Sequence, residues 1–324
     1  MKEIVVLSGK GGTGKTSVLA ALAHLASQKQ RLVLADADVD AANLGLVLAP
    51  EGEAEHDFVG GKLAAIASDC CTGCGECLEA CRFEAILPVA EKVDGTTRYR
   101  VDPLACEGCA ACFYRCPVEA IAMREQVAGR WFVANTRFGT LVHAHLCAGQ
   151  ENSGKLVMLV KQQARELARQ QGAEYLLVDG PPGIGCPVIA ACAGANLALL
   201  VAEPTVAGIH DLERILATTE HFRVPASVCI NKYDLNLGRS REIVRFCAER
   251  GVAVVGLIPF HSVVTEAMVH RQAVTEWAVR GGSRGRRAGW QREAVANEMG
   301  NVWMAIRRAL ATEAEEALGV GQSG

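Results

Sequence analysis

Two groups of residues in this 324-residue chain have the types and spacings that site chemistry requires. The first group is built from thiols. Cys71-x2-Cys74-x2-Cys77-x3-Cys81 recurs as Cys106-x2-Cys109-x2-Cys112-x3-Cys116, each cysteine 35 residues from its counterpart. The flanks repeat at the same offset, Glu84-Ala85-Ile86 against Glu119-Ala120-Ile121, so the segment is an internal duplication. Zinc ribbons also use C-x2-C pairs, but they need neither the third close cysteine nor the distant fourth. Iron–sulfur chemistry accounts for all four. The second group is built to hold phosphate. Gly9-Lys10-Gly11-Gly12-Thr13-Gly14-Lys15-Thr16 satisfies G-x4-G-K-[ST] at every position, and Ser17 follows it. Glycines at this spacing let backbone N–H groups turn inward around phosphate oxygens. Lys15 can reach the β and γ phosphates, and the Thr16 hydroxyl suits Mg²⁺.

These groups act only if the fold delivers them to one place. Ile4–Leu7, directly before the glycines, is a short apolar run of buried-strand type. Directly after them Val18, Leu19, Leu22, Leu25 and Ala26 recur at helical spacing, and Arg31–Ala35 predicts a second strand. Later strands are predicted at Tyr175–Val178, Leu197–Ala202, Ser227–Ile230 and Val252–Ile258. Helices at Val157–Gln170, Leu212–Phe222 and Arg241–Arg250 alternate with them. All-apolar strands alternating with helices predict an α/β P-loop NTPase, with a mostly parallel sheet covered by helices on both faces. The cysteine block interrupts this alternation. The expected organisation is therefore a discontinuous nucleotide domain, 1–67 and 125–279, around a small α+β insert at 68–124. Residues 280–324 then read as a basic linker, Arg280–Arg287, and a C-terminal helix from Gln291 to about Ala317. Gly149–Leu156 repeats the phosphate-loop spacing but ends without a hydroxyl for Mg²⁺, and reads as a loop that starts a helix.

Lys10, an extra lysine early in the phosphate loop, is the deviant form of that motif. With it the chain resembles the MinD/ParA/Mrp superfamily of P-loop ATPases, which includes the nitrogenase iron protein. The resemblance implies that Lys10 crosses to the partner's nucleotide in an ATP-sandwich homodimer. Leu34-Ala-Asp36-Ala-Asp38-Val-Asp40-Ala-Ala-Asn43 resembles switch I, which implies that Asp38 orients the attacking water and Asp36 supports Mg²⁺ through water. Leu177-Val178-Asp179-Gly-Pro-Pro-Gly183 resembles Walker B and switch II, with Asp179 helping to hold the metal. Asn231-Lys232-Tyr233-Asp234 resembles a base-recognition loop; the same string reads guanine in GTPases, and Lys10 favours ATP. The implied nucleotide site is thus Gly11, Gly12, Thr13, Gly14, Lys15, Thr16, Ser17, Asp36, Asp179, Asn231 and Lys232, with Lys10, Lys15 and Asp38 catalytic.

Residues 68–124 resemble a bacterial 2[4Fe–4S] ferredoxin. That resemblance implies one cluster on Cys71, Cys74, Cys77 and Cys116 and a second on Cys106, Cys109, Cys112 and Cys81. Arg82 stands where such motifs place proline, whereas Pro117 keeps it. Cys70 is left over beside Cys71. Cys192, Cys229 and Cys247 lie in apolar runs and read as core. Cys186, just after switch II, and Cys147, just after a strand, resemble in position the nitrogenase iron protein cysteines that share a bridging [4Fe–4S] cluster. Loop or core thiols are the other reading of this pair, and both stay open. His143 and His145 share one strand face and read as ordinary strand side chains.

Composition narrows the functions. The 33 basic and 36 acidic residues leave a charge of −3, against the basic excess of a dedicated nucleic-acid binder. Half the residues are hydrophobic, enough for a large core, yet no run of about 18 apolar residues could cross a membrane. Glu313, Glu315 and Glu316 weigh against a membrane-anchoring tail. Met1-Lys2-Glu3 leads straight into a strand, so a cytoplasmic location is expected, where cysteines serve metals more often than disulfides. The expected function is a Mg²⁺-dependent ATPase that couples nucleotide state to electron transfer with an unknown redox partner protein. Two alternatives stay open: an Mrp-type iron–sulfur carrier, disfavoured because no C-x2-C pair lies outside the repeats, and a MinD/ParA-like spatial-positioning ATPase.

Overall fold

In this computed structural model, residues 1–90, 95–147, 153–280 and 286–319 are described. Most of the basic linker and Gly149–Asn152 of the phosphate-loop look-alike lie outside them, as do the side chains of Glu313, Glu315 and Glu316. The chain opens with β1 (Lys2–Ser8), α1 (Lys15–Ser27), β2 (Leu32–Asp36), α2 (Leu44–Leu48) and β3 (Glu51–Ile66). The cysteine repeats then contribute α3 (Glu76–Ala80), β4 (Ile86–Pro88), β5 (Tyr99–Val101) and α4 (Ala111–Arg115). Next come β6 (Ile121–Asn135), β7 (Thr140–Leu146), α5 (Ser153–Gln170), β8 (Tyr175–Pro182), α6 (Cys186–Cys192) and β9 (Leu197–Ala202). The chain closes with α7 (Val206–His221), β10 (Ala226–Asn231), α8 (Leu237–Glu249), β11 (Ala253–Ile258), α9 (Ser262–Val269), α10 (Val274–Arg280) and α11 (Arg286–Gly319).

Two compact units result. One comprises Met1–His56, Trp131–His145 and Ser153–Gly324; the other comprises Asp57–Arg130 and Leu146–Asn152. The division falls inside β3 and β6, so the second unit takes in more chain than the cysteine pattern alone marks out.

In the first unit the strand order is β11-β10-β9-β1-β8-β2-β7, followed by the first-unit residues of β6 and β3. The pairings from β11 through β7 are parallel. Their side chains are buried almost throughout β1, β2, β8 and β9, which is why these strands read as unbroken apolar runs. Register brings two carboxylates together: β2 pairs with β8 so that Asp36, the last residue of β2, lies opposite Asp179, in the C-terminal half of β8. The C-terminal helix is not a separate appendage. Val295, Met299, Val302, Trp303, Ile306 and Leu310 of α11 recur on one helical face and are buried in the same core as α1 and the sheet. Gly256 on β11 makes room for this helix, because a Cβ there would stand 2.2 Å from Val302 Cγ2.

In the second unit the duplication is visible in the backbone. α3 and α4 occupy equivalent positions, each opened by a left-handed residue, Gly75 at φ 83° and Ala110 at φ 62°. Glu84 and Glu119 repeat another positive φ, at 53° and 52°. The antiparallel pair β4–β5 sets Pro88 opposite Tyr99. Its core is small: Ala64, Cys77, Ile86, Cys112 and Ile121.

Candidate functional site

The phosphate loop connects β1 to α1, and its shape is held by other parts of the first unit. Gly12 and Gly14 adopt φ 77° and 96°, a region open to glycine. Asn231 Nδ2 donates to the Thr13 carbonyl at 2.7 Å, and Lys232 Nζ donates to the Gly12 carbonyl at 3.1 Å. Ser8 Oγ donates to the Lys10 carbonyl at 2.7 Å. A Cβ at Gly14 would meet Asn231 Nδ2 at 2.4 Å, so the loop and the end of β10 are packed together. The loop thus presents its N–H groups at the start of a helix, the arrangement that binds phosphate.

Three carboxylates meet it at the ends of β2 and β8. Thr16 Oγ1 donates to Asp179 Oδ2 at 2.6 Å, while Asp179 Oδ1 is buried with no partner. Asp36 accepts the Asp38 N–H at 3.2 Å on one oxygen and the Leu44 N–H at 2.9 Å on the other, which pins both ends of the loop between β2 and α2. Burial and the Asp179 carboxylate push Asp36 well above the ordinary range. Burial raises Asp179 to about 6 against the opposing pull of Thr16 and Lys15. Burial likewise raises Asp38. Buried carboxylates destabilised in this way, with one oxygen orphaned beside a threonine hydroxyl, fit a divalent cation.

A cleft of about 650 Å³ opens over this floor. Gly11, Gly12, Gly14, Lys15, Thr16, Ser17, Asp38, Asn231 and Lys232 all line it, together with Pro259, Phe260 and His261 after β11. Asp234 turns away to accept the Phe260 N–H at 2.7 Å, so its carboxylate braces the Pro259–His261 loop. Lys10 is held by Glu203, Nζ to Oε2 2.9 Å, and Glu203 also pairs with Lys232. Burial opposes the charge on Glu203, but the hydrogen bonds from Lys232 and Lys10 outweigh it and hold the carboxyl below its ordinary value. Glu203 was not among the residues singled out from sequence. Its signal was there: it follows β9 directly, at the strand end where such sheets bind ligands.

In the second unit the eight repeat cysteines divide between two cavities. Cys71, Cys74, Cys77 and Cys116 line one; Cys81, Cys106, Cys109 and Cys112 line the other. Each cavity therefore holds three thiols of one repeat and the last thiol of the other. Cys81 Sγ accepts the Ala85 N–H at 3.3 Å and Cys116 Sγ accepts the Ala120 N–H at 3.2 Å, in matching positions. All eight are free thiols. Burial pushes Cys77 to about 11 and raises Cys112, a cost that metal ligation would remove. Among the described residues no three His, Cys, Asp or Glu side chains converge on a point for a single metal ion. A cubane makes a different demand, since each thiolate takes its own iron and the four stand around the cluster.

Among the remaining cysteines, Cys192, Cys229 and Cys247 are fully buried. Cys147 and Cys186 are exposed, the first in the second unit and the second in the first unit. Cys70 is exposed. His143 and His145 pack against the Phe132 ring at 5.0 and 4.9 Å.

Comparison with known proteins matches residues 4–274 to the CobQ/CobB/MinD/ParA nucleotide binding domain. An uncharacterized protein of Methanocaldococcus jannaschii is 33% identical over 234 residues, which is 72% of this chain and 79% of that protein. The septum site-determining protein MinD of Bacillus subtilis is 22% identical over 282 residues, 84% of this chain and 81% of MinD. Among solved structures, the Aquifex aeolicus MinC:MinD cell division protein complex has a TM-score of 0.54 at 18% identity, covering 95% of this chain and 96% of that one. The Pyrococcus furiosus cell division ATPase MinD has a TM-score of 0.53 at 16% identity, covering 95% and 98%. At these identities the solved structures show a common fold.

Proposed function

Because the chain belongs to the CobQ/CobB/MinD/ParA nucleotide-binding family, we propose that it is a Mg²⁺-dependent ATPase that couples nucleotide state to electron transfer through two [4Fe–4S] clusters. In the first unit, Lys15 and the loop N–H groups hold the β and γ phosphates, with Thr16 and Asp179 holding the cation. Asp38 orients the attacking water, Asp36 supports the cation through water, and Asn231 and Lys232 hold the base side of the cleft. Lys10 gives up Glu203 to reach a partner's nucleotide in an ATP-sandwich homodimer. The clusters, when bound, supply one-electron chemistry to a redox partner protein, and the cytoplasm is the setting.

The observation that carries the redox half is the pair of cavities, each lined by a complete cross-repeat set of four free cysteines. Anaerobic reconstitution followed by iron counting tests it. About eight irons per chain supports two clusters; about ten adds a third shared between two subunits through Cys147 and Cys186; none rejects the reading. The coupling needs its own measurement. Cluster oxidation by an electron acceptor should change rate with ATP and lose that dependence in Lys15→Ala; if it ignores both, the coupling is wrong and the ATPase stands.

A MinD/ParA-like spatial-positioning ATPase is the second reading, and the comparisons taken alone favour it over redox coupling, since several relatives carry the name of the septum site-determining protein MinD. No helix of the described residues is long and apolar enough to cross a membrane, so such a role would rest on surface binding. ATP-dependent co-sedimentation with liposomes or DNA supports it. Transfer of intact clusters to an apo-acceptor would instead mark an Mrp-type carrier.

A further inference from the structure

The duplication relates the two thiol cavities residue by residue, which exposes where they differ. At the 35-residue offset most of the wall of the Cys71/Cys74/Cys77/Cys116 cavity maps onto the wall of its counterpart, but the residue types differ at Thr72 against Glu107, Glu76 against Ala111, Val118 against Phe83 and, with the largest change in size, Tyr99 against Ala64. Tyr99 lines the first cavity, and the matching residue in the second is Ala64. Tyr99 comes from β5, and its Oη stands 3.4 Å from where a Cβ on Gly75 would lie, at the loop joining Cys74 to Cys77.

We propose that Tyr99 makes the two clusters unequal, so that the cluster beside it is reduced first and the cluster beside Ala64 is the stronger reductant. This rests on the two-cluster reading above. Each cluster takes one electron from a low-potential one-electron donor, and the reduced form carries one more negative charge. A phenol O–H in the wall stabilises that added charge and a methyl group does not, because hydrogen bonding and polarity at the sulfurs set the potential. A further difference acts in the same direction. Each wall carries one carboxylate, Glu76 in the first and Glu107 in the second, and Arg115 pairs with Glu76 at 2.7 Å.

The test is an anaerobic redox titration of the reconstituted full chain, with dithionite as reductant and electron paramagnetic resonance as readout. Two one-electron steps at separate potentials are expected. Tyr99→Phe should move the higher step down, leaving the lower step and the iron content unchanged, while Glu107→Gln should move the lower step up. Coincident steps in the unmodified chain, or a Tyr99→Phe titration with the higher step unmoved, would overturn the inference and leave the two clusters standing. A chain that takes up no iron removes the two-cluster reading and this inference with it.

Discussion

The two units hold their functional groups by opposite means. In the first, the phosphate loop is fixed by protein contacts that need no ligand, from Asn231, Lys232 and Ser8. Those contacts stand on a core that joins the sheet to α1, α9, α10 and α11. In the second, the buried cluster among the described residues is five side chains, two of which, Cys77 and Cys112, themselves line the thiol cavities. A site carried by a large core can exist empty and wait for nucleotide. On the two-cluster reading, a site that is a large share of its own core is expected to need its metal in order to fold.

The sharpest way to break this contrast is to remove iron. Hydrogen exchange after chelation should show the second unit losing nearly all protection while the first unit keeps its own, because metal binding is folding free energy only where the core is made of ligands. Equal loss in both units would show that they fold as one. The next effect acts on the first unit alone. Lys15→Ala should lower ATP turnover by about 100-fold or more, as removing a preorganised charge-stabilising group does, without altering iron content. Loss of iron in that variant would contradict the separation of the two sites. Third, Trp303→Ala on α11 should destabilise the first unit by about 3–5 kcal/mol in denaturant unfolding. Trp303 is buried and meets Tyr175 edge-on at 5.1 Å, so an effect below about 1 kcal/mol would mean that α11 is dispensable to the core.

The parts that could be read from sequence are those where one local pattern decides the outcome. Leu197–Ala202 is apolar at every position and is β9 to the residue. The phosphate loop, Asp36 and Asp38 follow or close their strands and Asp179 lies in the C-terminal half of β8, since a parallel sheet brings its C-terminal edge to one side. What could not be read depends on pairing between distant segments. β3 and β6 mix polar and apolar residues, so nothing local marks them as long strands. α11 was expected as a helix, but its place in the core follows from its approach to Gly256, which no helical pattern announces. The Lys10–Glu203 pair likewise joins residues 193 positions apart. In the second unit the duplication is legible as a 35-residue offset, while the contrast of Tyr99 with Ala64 depends on both residues lining the thiol cavities, which no sequence pattern announces.

The smallest effect probes the first unit's site through pH. Asp179 rises from an ordinary 3.8 to about 6 by burial, and Asp36 is raised beside it. The folded chain therefore binds these protons more tightly than the unfolded chain does. Without a cation, stability is highest below 3.8 and falls as pH rises through about 6, the reverse of a salt-bridged carboxylate. A divalent cation held by Asp179 removes the penalty on the ionised form. The gain in melting temperature of the first unit on adding Mg²⁺ and ADP should thus grow between pH 5.5 and 7.5, by roughly a few degrees. Asp179→Asn keeps the size of the side chain and a carbonyl oxygen for Thr16, yet cannot ionise, so its gain should stay flat across the same range. A gain that shrinks as pH rises would mean that the buried carboxylates do not hold the cation. The first unit's site would then be preformed for phosphate alone.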